Sequence, residues 1–139
     1  MKTAARQLPG YNAAPQQPDI VMFLRLSRPL FRAVFVVAVI VVFVLTMAPL
    51  PTQIDVVSNQ DKFEHGFAFF ALMLLGWAGW PQRTTRVAGG LVAYGLLIEI
   101  CQQTLTAYRS GDALDWLADS VGVGIGCLLV RRLTILSQK

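Results

Sequence analysis

The sequence predicts an all-α integral membrane protein, a four-transmembrane-helix bundle with a disordered N-terminal tail and a short interfacial helix. Three observations support this fold class. The 139 residues are 55% hydrophobic and only 14% charged, whereas about a quarter of the residues in soluble domains are charged. The apolar residues form blocks too long and too continuous to be one face of an amphipathic helix. The basic residues lie at the ends of these blocks.

The chain before the first apolar block divides into two parts. Residues 1–19 are rich in glutamine and proline and have little periodic hydrophobicity, which predicts a disordered cytoplasmic tail. A single membrane domain is expected over residues 20–139. Within it, residues 20–30 mix apolar side chains with arginines, a pattern typical of a short helix lying at the membrane surface, and Pro29 is expected to end that helix.

Four apolar segments are predicted to cross the membrane. Residues 33–54 carry no charge, and a helix of this length reaches roughly 33 Å, enough for the hydrocarbon core of a bilayer. A cleavable signal peptide is the competing interpretation of this segment, but the stretch before it is longer than a usual n-region. The other predicted spans cover residues 63–80, 87–108 and 113–130.

Charge distribution predicts the orientation. Four alternating spans place Lys62 and Arg109 on one side of the membrane and all other basic residues on the opposite side. Because basic loops remain in the cytoplasm, both termini are predicted to be cytoplasmic, in a multi-pass protein of the bacterial inner membrane. The formal net charge of +4 does not indicate a partner nucleic acid, because the basic residues form no single stripe.

Polar residues gather toward the extracytoplasmic ends of the last three spans. Their spacings of three and four residues place each set on one face of its helix. Charges at this depth are costly unless they are paired or hydrated, so they are expected to face the bundle interior and to form a ligand-binding pocket. The candidate residues are Asp61, Lys62, His65, Glu99, Gln102, Arg109, Asp112, Asp115 and Asp119.

Small and aromatic residues complete the pattern. Gly122 and Gly126 continue the alternating spacing of three and four residues between Asp112, Asp115 and Asp119. These small residues would let the fourth helix approach a neighbour closely. Gln103, next to Gln102, is the lesser candidate for the pocket. Two further groups are expected to make packing contacts only: Gly89, Gly90 and Gly95 between helices, and Phe63, Phe67, Phe69 and Phe70 in the core or against lipid.

The polar pattern resembles that of the VanZ-like membrane proteins, a family named for a protein associated with teicoplanin resistance. The resemblance extends over about residues 61–126 and implies a function in the cell envelope. The chain departs from the family pattern at Asp119, where an asparagine is usual. The residues that carry the resemblance are Asp61-Lys62-x-x-His65, Glu99-x-x-Gln102, and Arg109 with Asp112, Asp115, position 119 and Gly122.

Three functions remain open for the pocket. In the first, Lys62 and Arg109 hold an anionic lipid, a lipid-linked glycan or a glycopeptide-type ligand, with a contribution to glycopeptide tolerance. In the second, His65, Glu99 and Asp115 are catalytic acid/base groups acting on a lipid-linked substrate. In the third, the polar residues form only a structural network between helices.

Metal binding is the weaker interpretation of the same residues. His65 and the carboxylates suit several divalent metals, but Lys62 and Arg109 would oppose a cation in the same cavity. No metal and no cofactor are therefore predicted. For Glu99, a structural ion pair with Lys62 or Arg109 is the alternative to a functional role, which is the default interpretation of a carboxylate within the membrane. Asp119 is expected to hold a proton or to pair with one of those two cations.

Overall fold

The computed structural model describes residues 20–48, 60–105 and 112–136, with side chains from residue 27 in the first range and from residue 62 in the second. These parts of the chain are helical, as predicted. The helices are α1 (Ile20–Met47), α2 (Gln60–Gly79), α3 (Thr84–Leu105) and α4 (Ala113–Leu136), and a 3-10 turn, Pro81–Arg83, joins α2 to α3.

Within the described residues, three segments are long and apolar enough to cross a membrane: Ser27–Met47, Pro81–Leu105 and Ala113–Leu136. This finding agrees with the predicted membrane class. The helix α2 is 20 residues long but is not among them. Its first turns carry Lys62 and Glu64, which lower its mean hydropathy.

The predicted boundaries need two corrections. The expected helix end at Pro29 is wrong, because α1 continues through this residue. Proline removes only one backbone N–H donor, so a long apolar helix can continue through it with its other hydrogen bonds in place. The fourth helix also extends beyond the predicted end at Val130. The predicted tail, residues 1–19, and the end of the first predicted span, residues 49–54, lie outside the described residues.

The most extensive helix contact joins α2 and α4, which run parallel. A side chain added at Gly122 would collide with the backbone carbonyl of Gly66, and one added at Gly126 would meet the Met73 side chain. The predicted small-residue stripe is therefore confirmed, and its partner is α2. Such stripes bring helix backbones together where lipid supplies no hydrophobic force between helices.

Hydrogen bonds to backbone carbonyls tie α3 to its neighbours. The Tyr94 hydroxyl donates to the Val39 carbonyl at 2.6 Å, which connects α3 to the middle of α1. From α4, the Trp116 indole donates to the Val92 carbonyl at 3.1 Å. Six buried apolar side chains form the hydrophobic core between the helices: Phe69, Leu72, Met73, Leu91, Ile98 and Val123.

The expected roles of the aromatic residues and glycines are partly confirmed. Phe69 lies in the core, whereas Phe63 and Phe67 are exposed. Of the three glycines expected between helices, Gly95 packs against α4, but Gly89 and Gly90 have open space beside them.

Cations gather at the bundle end formed by the start of α1 and the connection from α2 to α3. The Arg32 side chain donates to the Gly79 carbonyl at 2.9 Å, and its guanidinium lies 5.3 Å from the centre of the Trp80 ring. Arg28 and Arg83 line the same shallow depression. Arg86 lies in the first turn of α3, and Arg131 and Arg132 lie in the last turns of α4.

The contact at Gly122 predicts a sharp difference between two glycines of α4. We expect Gly122→Ala to lower the free energy of unfolding by about 2 kcal/mol, because the added methyl group has only backbone to displace. A Cβ added at Gly124 would meet no atom of another helix within 4 Å, so Gly124→Ala is the matched control and should leave stability unchanged or slightly higher. Unfolding in mixed detergent micelles measures both, and equal effects would contradict the proposed contact.

Candidate functional site

Three helices bring most of the predicted pocket residues together at the bundle end opposite the arginines. The buried polar side chains are His65 on α2, Glu99 and Gln102 on α3, and Asp115 and Asp119 on α4. Lys62 and Asp112 lie beside them with partly exposed side chains. The structure therefore brings these seven residues to one end of the bundle. Arg109 lies outside the described residues, and of Asp61 only the backbone, in α2, is described.

Lys62, Asp112 and Asp115 form a layer nearest the end of the bundle, here termed the end layer. The Lys62 ammonium bonds to Asp112 Oδ2 at 3.0 Å and to Asp115 Oδ1 at 3.1 Å. Its side chain is 30% exposed, that of Asp112 43%, and that of Asp115 12%. The layer thus borders solvent on one side and the bundle interior on the other.

Asp112 also begins α4. Its Oδ1 accepts the N–H of Leu114 at 2.9 Å, the bond of an N-capping residue. Its carbonyl accepts the N–H of Asp115 at 2.9 Å. The Leu114 N–H, and after it the Lys62 ammonium, holds the pKa of Asp112 below its usual value. Hydrogen bonds to Asp112 and then to Asp115 raise the pKa of Lys62.

His65, Glu99 and Asp119 form a second group one helical turn deeper, here termed the inner cluster. His65 Nδ1 and Asp119 Oδ1 are 3.1 Å apart, and the Asp119 side chain is fully buried. Because an ionised carboxylate only accepts hydrogen bonds, Nδ1 carries the proton when Asp119 is charged. Spacings of three residues on α2 and four on α4 produce this second rung below the end layer.

Glu99 reaches the inner cluster from α3. Its Oε2 accepts the backbone N–H of Asp112 at 2.7 Å, so the two layers are connected. Its Oε1 and Asp119 Oδ2 are both buried and have no hydrogen-bond partner in the described part of the protein. One ring nitrogen of His65 and one oxygen of each carboxylate lie within 4.8 Å of one another.

This arrangement can perform acid/base chemistry or hold a positive charge. A histidine bonded to one carboxylate and facing another can accept and return a proton. Two carboxylates with unused oxygens can also share a proton or coordinate a cation. Gly95 makes room for this group, since a side chain there would come within 2.8 Å of Asp119 Oδ2.

The structure bears on one of the pairings considered for Glu99 and Asp119. Lys62 bonds to Asp112 and Asp115 and not to Glu99 or Asp119, whereas Arg109 lies outside the described residues. Lys62 lies one helical turn before His65 on α2. Lys62 therefore lies beside the start of α4, whereas His65 lies beside Asp119. The bond from the Asp112 N–H to Glu99 was not predicted, because the spacing of residues within one helix gives no signal for a contact between α3 and the residue before α4.

The two glutamines are also distinguished by the structure. Gln102 is buried, whereas Gln103 is exposed, so the preferred candidate is the one that faces inward. The Gln102 amide donates to the carbonyl of Thr46 at 3.2 Å. This carbonyl lies in the last turn of α1, where no intrahelical N–H is available to it. Gln102 therefore fixes the end of α1 to α3.

The end layer predicts a defined pH dependence. The difference in melting temperature between the wild type and Lys62→Met should be constant from pH 5 to 9. It should shrink below 3.8, the ordinary pKa of Asp112, because that pKa is lowered in the folded protein. It should also shrink above 10.5, the ordinary pKa of Lys62, because that pKa is raised. A difference that disappears between pH 6 and 8 would contradict the ion pair.

Comparisons of the chain with protein-family models, with curated proteins and with solved structures find no match. The function must therefore be inferred from the sequence pattern and from the geometry of the site.

Proposed function

We propose that this chain is a VanZ-like protein of the bacterial inner membrane with four spans and both termini in the cytoplasm. Two observations support this topology. The helix α2 has 20 residues, enough to cross a hydrocarbon core of about 30 Å, and it makes extensive contacts with both α1 and α4. Among cations with described side chains, Lys62 alone lies at the polar end, and the positive-inside rule assigns the arginine-rich end to the cytoplasm.

Within this topology, the proposed function is to bind an anionic lipid or a lipid-linked glycan in the outer half of the bilayer. The observation that carries this proposal is a groove of about 620 Å³ between α2 and α4. Its walls are apolar and suit an acyl or polyprenyl chain, and a cation stands at its outer end. The residues that line it include Lys62, Phe63, Phe67, Phe70, Val121 and Ile125.

The chemistry of Lys62 suits a phosphate at this position. An ammonium has three N–H donors, and two of them point to Asp112 and Asp115. One donor remains for an oxygen of a lipid head group. Arg109, the second cation predicted on this side, is expected to complete the head-group site. A surface lipid held in this way would alter the access of glycopeptide antibiotics to the envelope.

The test uses purified protein mixed with equal amounts of phosphatidylglycerol, phosphatidylethanolamine and a polyprenyl phosphate. Mass spectrometry of the intact complex then counts the lipids that remain bound. We expect the wild type to retain an anionic lipid in preference to phosphatidylethanolamine. Ile125→Trp should reduce lipid retention several-fold by filling the groove, and Lys62→Met should remove the preference for anionic head groups.

A matched control separates the groove from the general lipid surface. Leu97 on α3 is 50% exposed and Ile125 on α4 is 54% exposed, but Leu97 does not line the groove. Leu97→Trp should therefore leave lipid retention unchanged. The proposal fails if the wild type shows no preference for an anionic lipid, or if both tryptophan variants reduce retention equally.

The inner cluster favours a second candidate, an enzyme acting on a lipid-linked substrate. His65 would be the general acid/base, Asp119 would orient its ring, and Glu99 would be the second acid/base group. Asp115, predicted as catalytic, bonds to Lys62 instead. If the protein is an enzyme, incubation with the wild type should change the mass of the polyprenyl phosphate. Incubation with the His65→Gln variant should leave that mass unchanged. A purely structural network would lower stability in that variant without any product in the wild type.

A further inference from the structure

The least satisfied polar atoms of the bundle lie together in its interior. Of the three buried side-chain atoms that lack a hydrogen-bond partner among the described residues, two are carboxylate oxygens, Glu99 Oε1 and Asp119 Oδ2. The Glu99 side chain is 7% exposed and that of Asp119 is 0% exposed. A buried polar group without a partner costs about 1 to 3 kcal/mol, and a charged one costs more.

Charge makes this arrangement more costly still. When both carboxylates of the inner cluster are ionised, they place two negative charges where the dielectric constant is low. The lysine of the end layer does not neutralise them, because its ammonium bonds to Asp112 and Asp115. A protonated His65 would compensate for one of the two charges. One divalent cation would compensate for both and leave a neutral site with a neutral imidazole.

We propose that His65, Glu99 and Asp119 bind one divalent transition-metal ion of the Zn²⁺ or Mn²⁺ type between α2, α3 and α4. The three donor atoms lie within 4.8 Å of one another, and the ligands of one tetrahedral ion lie about 3.4 Å apart. Small rotations of side chains on three separate helices close that gap. The inference does not depend on lipid binding in the groove.

The donor set determines the class of metal. One imidazole nitrogen with two carboxylate oxygens suits Zn²⁺, Mn²⁺ or Fe²⁺, whereas Mg²⁺ prefers oxygen ligands and retains several waters. A metal was not predicted from the sequence because Lys62 and Arg109 were expected in the same cavity. The structure removes the objection for Lys62, which lies one turn away and is bonded to Asp112 and Asp115; Arg109 lies outside the described residues.

The test begins with tag-free protein, stripped with a chelator in detergent and titrated with Zn²⁺, Mn²⁺ or Mg²⁺. Elemental analysis after removal of unbound ions should give one Zn²⁺ or Mn²⁺ per chain and no retained Mg²⁺. His65 is the one histidine of the chain, so ¹⁵N-histidine NMR reports on this site alone. Its ring nitrogen signals should shift when one equivalent of Zn²⁺ is added to the wild type.

Substitutions then locate the ion. Loss of an outer-shell partner weakens metal binding about 10- to 100-fold, so Asp119→Asn and Glu99→Gln, which remove direct ligands, should weaken it by at least about 100-fold. Glu64, exposed and adjacent to His65 on α2, supplies the control Glu64→Gln, which should bind like the wild type. The proposal is overturned if wild-type protein retains less than half an equivalent of metal, if its histidine signals do not move, or if the control is equally weakened.

Discussion

The close approach of α2 and α4 is the contact on which the polar site depends. Gly122 lies directly against the backbone of Gly66, so two parallel helices rise side by side with their turns in step. Lys62 therefore meets Asp115, and His65 meets Asp119, each at 3.1 Å. The Gly122–Gly66 contact thus sets the distance between α2 and α4. A wider separation would break the Lys62–Asp115 and His65–Asp119 pairs together.

Asp112 connects this pair of helices to α3. It caps α4, accepts from Lys62, and donates its own N–H to Glu99. The starting end of α4 is consequently fixed against α2 through a side chain and against α3 through a backbone group. Because Asp112 satisfies only one Glu99 oxygen, the other oxygen remains directed into the inner cluster. Asp112 thus belongs to the end layer and bonds to one oxygen of Glu99. The second oxygen of Glu99 has no hydrogen-bond partner among the described residues.

Much of the site could be predicted from spacing within single helices. The steps from Asp115 to Asp119 and on to Gly122 identify one face of α4, and the structure places that face against α2. Partners across helices could not be predicted, because spacing gives the face of each helix but not the offset between helices. Between α2 and α4 that offset is set by the contact of Gly122 with Gly66. Pro29 was misjudged because a local signal for a helix end is outweighed by a long apolar run.

The two proposed ligands carry opposite charges, and their separation by about one helical turn lets both occupy one end of the bundle. A phosphate beside Lys62 would be repelled by an inner cluster with two uncompensated carboxylates. A divalent cation in that cluster would remove the share of the repulsion that comes from the inner cluster, and at a low dielectric constant this interaction acts over several ångströms. If both proposals hold, the coupling is reciprocal, so a metal ion in the inner cluster and an anion beside Lys62 strengthen each other's binding.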